Sequence, residues 1–70
     1  MLPIIDMAKV HTVERQIMAI LPGYLTYFFD NTDGGVALIL EDGDVFAGDY
    51  PEGSEIRDLI IELGKLLRRL

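Results

Sequence analysis

The sequence contains no cysteine and no tryptophan, and it has few basic side chains. Without cysteine the chain cannot form a disulfide, a thiolate zinc site, an iron–sulfur cluster or a thiol nucleophile. Lys and Arg together number 6, against 12 Asp and Glu, for a formal net charge of −6 at pH 7. Because affinity for a phosphate backbone comes from Lys and Arg, this balance disfavours direct binding to nucleic acid.

A long apolar run is also missing. The longest mainly apolar stretch, residues 17–29, is interrupted by Pro22 and Gly23. It is shorter than the roughly 18 residues that a membrane-spanning helix needs. Residues 1–6 carry no basic side chain ahead of their apolar ones, which disfavours a secretory signal and predicts a cytoplasmic location.

The 70 residues are predicted to form one domain, residues 1–70. A chain of this length buries only about 60% of the surface that its unfolded form exposes, which leaves little room for an enclosed catalytic cleft. Hydrophobic residues make up 50% of the chain, too many for intrinsic disorder. Because small cores are often completed by a second copy, we expect a homodimer.

Side chains suited to catalysis are scarce. His11 is the sole histidine and Ser54 the sole serine, and Ser54 stands where a helix N-cap is expected. A capping hydroxyl is already engaged by backbone groups, so a Ser-His-carboxylate triad is disfavoured. The chain has no GxGxxG, GxxxxGK[ST] or HExxH motif. The sequence therefore predicts no enzymatic activity, no catalytic residues and no cofactor.

Clustered aspartates could in principle hold a hard cation. Asp30 and Asp33 precede one predicted turn, and Asp42 and Asp44 flank another. Neither segment matches the D-x-[DN]-x-[DN]-G calcium loop, and aspartate is common in turns for conformational reasons. We therefore predict no metal site.

Apolar periodicity predicts a helix at each end of the chain. Val10, Val13 and Ile17 recur at helical steps, and Pro22-Gly23 ends the first helix after Leu21. The start of that helix is open between two possible N-caps, of which the earlier one, giving the longer helix, is favoured over the later one. These candidates are Asp6 and Thr12.

The last helix, which we label α2, begins after Ser54 and carries apolar residues at alternating steps of four and three, a heptad seam. We call these residues the α2 seam: Ile56, Ile60, Leu63, Leu67 and Leu70. Further apolar residues beside the seam indicate that this helix needs more than one packing partner.

Between the helices lie three β-rich segments, residues 24–29, 36–40 and 45–47. Asp33-Gly34-Gly35 and Asp42-Gly43 supply the turns between them. The prediction is an α+β fold of order α-β-β-β-α, a three-stranded antiparallel meander with two helices packed on it. Because the central segment 36–40 is apolar throughout, both faces of the sheet should be at least partly covered. A dimer would form through the last helix or the outer sheet face.

Charge is distributed unevenly, since no Lys or Arg occurs between Arg15 and Arg57. Acidic turns keep proteins soluble and protect sheet edges, but edge protection commonly uses lysine as well. A surface of one sign attracts a partner of the opposite sign. The leading hypothesis is a non-enzymatic protein that binds and inhibits a larger protein with a basic groove, as a nucleic-acid mimic or groove blocker.

The residues predicted to contact that partner are the central acids and two tyrosines, since aromatic residues are enriched at interface hot spots. They are Asp30, Asp33, Glu41, Asp42, Asp44, Asp49, Glu52, Tyr27 and Tyr50. In size, acidity and lack of catalytic groups the chain resembles small phage-encoded antagonists such as anti-CRISPR proteins, although no motif carries this likeness. The alternative hypothesis is a homodimeric structural or accessory subunit that docks through the α2 seam.

Overall fold

A computed structural model describes residues 5–30 and 35–68 of the chain. Its elements are helix α1 (Met7–Ile20), strands β1 (Tyr24–Phe29), β2 (Val36–Leu40) and β3 (Gly43–Phe46), a turn of 3-10 helix (Ala47–Asp49) and helix α2 (Glu55–Leu67). The strands form one antiparallel sheet in the order β1-β2-β3. The predicted α+β fold of order α-β-β-β-α is confirmed.

Helix α1 is the longer of the two helices that the sequence allowed. The carboxylate of Asp6 accepts a hydrogen bond from the backbone N–H of Lys9 at 3.1 Å and so caps the first turn. Thr12 lies inside the helix, where its hydroxyl donates to the carbonyl of Ala8 at 2.9 Å. The helix ends at Ile20, so the predicted end was late by one residue.

Helix α2 begins as the sequence predicts. The Ser54 hydroxyl oxygen accepts a hydrogen bond from the N–H of Arg57 at 3.4 Å, and the hydroxyl donates to the carbonyl of Pro51 at 2.6 Å. Glu55 and Asp58 lie in the first turn, where the helix dipole favours negative charge.

The inner face of the sheet packs against the helices. Pairing places Leu38 of β2 between Tyr27 of β1 and Val45 of β3. Leu38 is fully buried, while Tyr27 and Val45 are half-buried and pack against the same core. The largest fully buried side chains come from both helices and β2: Val10, Ile17, Val36, Leu38, Ile60 and Leu63.

The outer face of the sheet carries the alternate residues of each strand. Ala37 lies there between Phe28 and Phe46, and it is fully buried although both phenylalanines are only half-buried. In the part of the chain that is described, α2 packs on β2 and α1 packs mainly on α2. Both faces of β2 are thus at least partly covered, as expected: the helices cover the inner face, and neighbouring side chains shield Ala37 on the outer one.

The β2–β3 turn consists of Glu41 and Asp42, because Leu40 pairs with Gly43. The predicted turn at Asp42-Gly43 was therefore late by one residue. Gly43 has a φ of 143°, a backbone conformation that favours glycine. At the β1–β2 turn, Asp33 and Gly34 lie outside the described residues.

Strand β3 is shorter at its end than the sequence predicts. Ala47 was expected in the strand but begins the 3-10 turn. The carboxylate of Asp49 accepts a hydrogen bond from the backbone N–H of Phe46 at 2.7 Å, which fixes the chain where it leaves the sheet. This local side-chain bond to the backbone replaces further strand pairing.

Candidate functional site

Exposed carboxylates lie on β3 and in the turns at its two ends. We call this region the acidic end and define it as Glu41, Asp42, Asp44 and Asp49. Glu41 and Asp42 form the turn before β3, Asp44 is on β3 opposite Ile39 of β2, and Asp49 lies in the 3-10 turn after β3. All four residues are exposed, and the Asp49 carboxylate also accepts the hydrogen bond from Phe46.

Tyr50 is the aromatic residue of this region. Its ring packs against the core while the residue stays half-buried. Burial raises the pKa of the Tyr50 hydroxyl, and the nearby carboxylates of Asp49 and Asp42 raise it further. Two carboxylates from different segments thus disfavour ionisation of the same tyrosine hydroxyl, which indicates a negative potential around Tyr50.

A basic side chain borders this region. Nη1 of Arg57 donates a hydrogen bond to the backbone carbonyl of Tyr50 at 3.2 Å. Arg57 is half-buried in the first turn of α2, so it anchors the loop between the sheet and the helix. The predicted contact residue Glu52 lies in that loop and is exposed.

The predicted set of contact acids is divided between two ends of the sheet. Asp30 follows β1, and its backbone N–H donates to the carbonyl of Gly35 at 3.1 Å. Glu41 and Asp42 lie at the other end of β2, a strand of 5 residues. At about 3.3 Å per residue that strand separates the two groups by roughly 16 Å. Asp33 lies outside the described residues.

Tyr27, the other predicted aromatic anchor, points towards the helices. It is half-buried and packs against the core from the inner face of the sheet. The exposed apolar residues of β1 are instead Phe29 and Leu25, whose side chains are 60% and 58% exposed. Leu25 lies at an irregularity in the pairing of β1 with β2, between Tyr24 and Thr26. Composition alone gave no signal for this irregularity.

The α2 seam is used inside the chain itself. Ile56 and Leu67 are each 7% exposed, and Ile60 and Leu63 are fully buried in the common core. Leu70 lies outside the described residues. On the folded chain, the four described seam residues therefore offer almost no surface to another protein.

An open groove runs along another side of α2. It measures about 390 Å³ and is lined by Ile61, Gly64, Lys65 and Arg68. Lys65 and Arg68 make its rim basic, but it lies at the carboxyl end of the helix, where the dipole disfavours anions.

The residues considered for catalysis lie in ordinary structural positions. His11 is exposed on α1, and the Ser54 hydroxyl is engaged in capping α2. Within residues 5–30 and 35–68 no group of three His, Cys, Asp or Glu side chains could hold a metal ion. Nor does any described helix have the length and apolar character needed to cross a membrane.

Comparison with known proteins gives no relative from which a function could be transferred. No protein-family model matches the chain, and neither the curated proteins nor the solved structures include a significant match. Function must therefore be argued from the acidic end, the outer sheet face and the free strand edges.

Proposed function

We propose that the protein is a non-enzymatic interaction module that binds and inhibits a larger protein through its acidic end. The partner would present a basic groove, of the kind that holds nucleic acid, and the carboxylates would occupy the places of phosphates. The observation that supports this is the set of exposed acids on and beside β3, two of which, Asp42 and Asp49, lie near Tyr50, in a segment with no Lys or Arg between Arg15 and Arg57.

Such a surface mainly raises the rate of association with a basic partner and restricts which partners can bind. Carboxylates of one sign steer a basic partner towards the correct face and raise the association rate at low salt. They also repel acidic surfaces, which restricts the range of partners. Tyr50 would add an apolar contact of fixed orientation, because its ring is already held by the core.

Because the acids are divided between two ends of the sheet, fewer of them are expected to contact the partner at once. Glu41, Asp42, Asp44 and Asp49 form its centre, with Glu52 in the adjoining loop. Asp30 lies about the length of β2 away and would contact only a partner that spans the sheet. Asp33, beside it in sequence, stays a prediction.

The accessory-subunit hypothesis has less support, because it relies on the α2 seam. The described seam residues are buried within the chain, so docking through them would require the core to open. A cytoplasmic location and a phage-like antagonist role remain parts of the proposal that rest on the sequence.

Affinity capture with matched charge reversals would test the acidic end. The immobilised protein is compared with Asp42→Lys, with Asp44→Lys and with a control, Glu62→Lys, which changes the net charge equally on the exposed side of α2. Extracts of the source organism are applied at low salt, and retained proteins are identified after elution at raised salt. We expect a basic protein to be retained by the wild type and the control and lost from the two acidic-end variants.

Two results would contradict the proposal. Equal loss in all three variants would show that net charge alone governs retention. Equal retention in all three would show that the acidic end makes no contact. For a partner so identified, inhibition is then measured directly, as the decrease in its binding to a nucleic-acid probe when the wild-type protein is added.

A further inference from the structure

The outer edge of β1 is a strand edge whose only protection is the irregular pairing at Leu25. Among the described residues β1 pairs with β2 alone, so its other edge carries unpaired backbone groups. Proteins commonly protect such edges with charged residues, proline or a very short strand. Strand β1, Tyr24–Phe29, has 6 residues with no charge and no proline.

The hydrogen-bond pattern shows which groups face outwards. Asp30 donates its backbone N–H to Gly35, so these residues form a hydrogen-bonded pair at the end of the ladder. Such pairs alternate along an antiparallel ladder. The backbone N–H and C=O groups of Phe28 therefore point towards β2, whereas those of Tyr27 and Phe29 point to the free edge.

The opposite edge of the sheet differs in each respect. Strand β3 has 4 residues, begins with Gly43 and carries the exposed acid Asp44. Short length, glycine and charge all weaken pairing with another strand. The two edges of the sheet thus differ strongly in their capacity to accept a further strand.

We propose that β1 pairs with β1 of a second copy of the chain, antiparallel and about a two-fold axis at Phe28. In this register Tyr27 of each copy lies opposite Phe29 of the other. These are the residues whose backbone groups face outwards, so the two pairs together make four main-chain hydrogen bonds. The result is a continuous six-stranded sheet with the order β3-β2-β1-β1-β2-β3.

Side-chain placement agrees with this register. Directly opposite residues in antiparallel strands lie on the same face of the sheet. Tyr27 and Phe29 are two apart on the inner face, so their pairing keeps each side chain on its own face. The two Phe28 side chains become neighbours on the outer face, and the 60% exposed Phe29 gains an aromatic neighbour.

Charge indicates a second copy as the occupant of this edge. A partner attracted by charge would bind the acidic end, most of which lies on or beside β3, and β1 itself carries no charge to attract it. In the dimer the two β3 strands lie at the outermost edges, so the acidic ends stay as far apart as the sheet allows. Two copies of net charge −6 repel each other in any dimer, and this arrangement reduces that repulsion because it places the acids of the two β3 strands farthest apart.

The association should be weak. The irregular pairing at Leu25 limits the regular part of the edge to Thr26–Phe29, and bulges of this kind weaken further pairing. The contact involves residues 26–29 of each copy, far fewer than the roughly 20 to 30 residues a side of a stable interface. We therefore expect a dissociation constant on the order of 0.1 to 1 mM.

The test measures assembly and amide protection together. Sedimentation equilibrium of the wild type, up to about 2 mM, should show a monomer–dimer equilibrium with a dissociation constant in that range. Hydrogen exchange followed by NMR should show the amides of Tyr27 and Phe29 becoming protected as concentration rises. The inward-facing amide of Phe28 should be protected at every concentration. A monomer at the highest concentration, or a dimer in which Tyr27 and Phe29 stay unprotected, would overturn the proposal.

A proline variant separates the contribution of the backbone N–H groups to dimerisation from that of the Phe29 side chain. Phe29→Pro removes one outward N–H at an exposed position, and proline is tolerated on an edge strand. We expect it to remain folded by circular dichroism and to weaken dimerisation at least tenfold. The control Phe29→Thr keeps the backbone N–H and should weaken dimerisation less than Phe29→Pro does. Equal dimerisation by Phe29→Pro and the wild type would also overturn the proposal.

Discussion

The hydroxyl of Tyr24 donates a hydrogen bond to Oε2 of Glu14 at 2.5 Å. This bond joins the first residue of β1 to the middle of α1. Tyr24 is only 6% exposed, and Glu14 is half-buried. The helix that packs mainly on α2 is therefore also tied to the sheet by a polar contact, at the end where the chain enters β1.

The first prediction concerns the alkaline pH dependence of stability. Burial and the Glu14 carboxylate raise the pKa of Tyr24 above that of an unfolded tyrosine, which is about 10. The neutral hydroxyl therefore contributes stability that is fully present below pH about 10 and is lost as pH rises through the folded pKa. We expect the free energy of unfolding, measured in urea, to fall steadily above pH about 10.

The variant Tyr24→Phe isolates this effect. It should lower the free energy of unfolding by about 1 to 3 kcal/mol at neutral pH, because Glu14 loses its partner in a half-buried place. Above pH about 10 its stability should fall less steeply than that of the wild type. The slope that remains should include Tyr50, whose pKa is also raised. If the unfolding free energy of Tyr24→Phe fell with pH as steeply as that of the wild type, the alkaline loss of stability could not be assigned to the Tyr24 hydroxyl.

The second prediction compares two glycines with the same backbone conformation. Gly35 has a φ of 79° and Gly53 a φ of 85°, so alanine is strained at both, by about 1 kcal/mol. At Gly53 an added Cβ meets no atom of the described residues within 4 Å, whereas at Gly35 it would lie 2.5 Å from Nη1 of Arg68. Because the exposed Arg68 side chain must move aside, we expect Gly35→Ala to destabilise the protein slightly more than Gly53→Ala does.

The difference between these glycines is testable with one further variant. In an Arg68→Ala background the side chain that crowds Gly35 is absent. Gly35→Ala should then cost no more than Gly53→Ala, as measured by chemical unfolding of all four combinations. If the extra cost of Gly35→Ala persists without the Arg68 side chain, another contact must be its cause.

The third prediction concerns the core beneath the sheet. Leu38 is fully buried in the middle of β2, so Leu38→Ala should lower the free energy of unfolding by about 2 to 5 kcal/mol. Leu25→Ala makes the same chemical change at a residue that is 58% exposed, and it should cost less than about 1 kcal/mol. Thermal unfolding followed by circular dichroism would measure both, and similar losses would show that Leu38 is not part of the core.

The fourth prediction concerns the start of α2. Ser54→Ala removes the oxygen that accepts from Arg57 and should cost about 1 kcal/mol. Ser54→Asp restores an acceptor next to the positive end of the helix dipole and should recover most of that loss. Chemical unfolding of the two variants checks the cap, and an unchanged stability in Ser54→Ala would show that Ser54 contributes none.

Local signals explain why the element order could be predicted from the sequence. Asp6 and Ser54 cap their helices through contacts within three residues, and such contacts depend little on the rest of the fold. The strands between them were bounded by turn residues. The errors of one residue at the second turn and at the end of α1 arose because pairing and packing set those limits.

The site was harder to predict because it depends on the course of the chain in space. Asp30 and Asp42 are near one another in sequence, yet successive turns of an antiparallel meander lie at opposite ends of the sheet. The burial of Tyr27 follows from its register with Leu38, which alternation alone does not give when the strand is apolar throughout. A heptad pattern likewise does not reveal whether the seam packs within its own chain or against another. Ile60 and Leu63 of the α2 seam pack within their own chain.

The unequal edges of the sheet limit what self-association can build. A second copy that joins at β1 uses the less protected edge of both chains, and the pair then presents only its two β3 strands. Each of these is short and carries Asp44, so it offers a third copy few pairing groups. In the proposed pair, growth would therefore stop at two, and filaments would not form even at concentrations where pairing is complete.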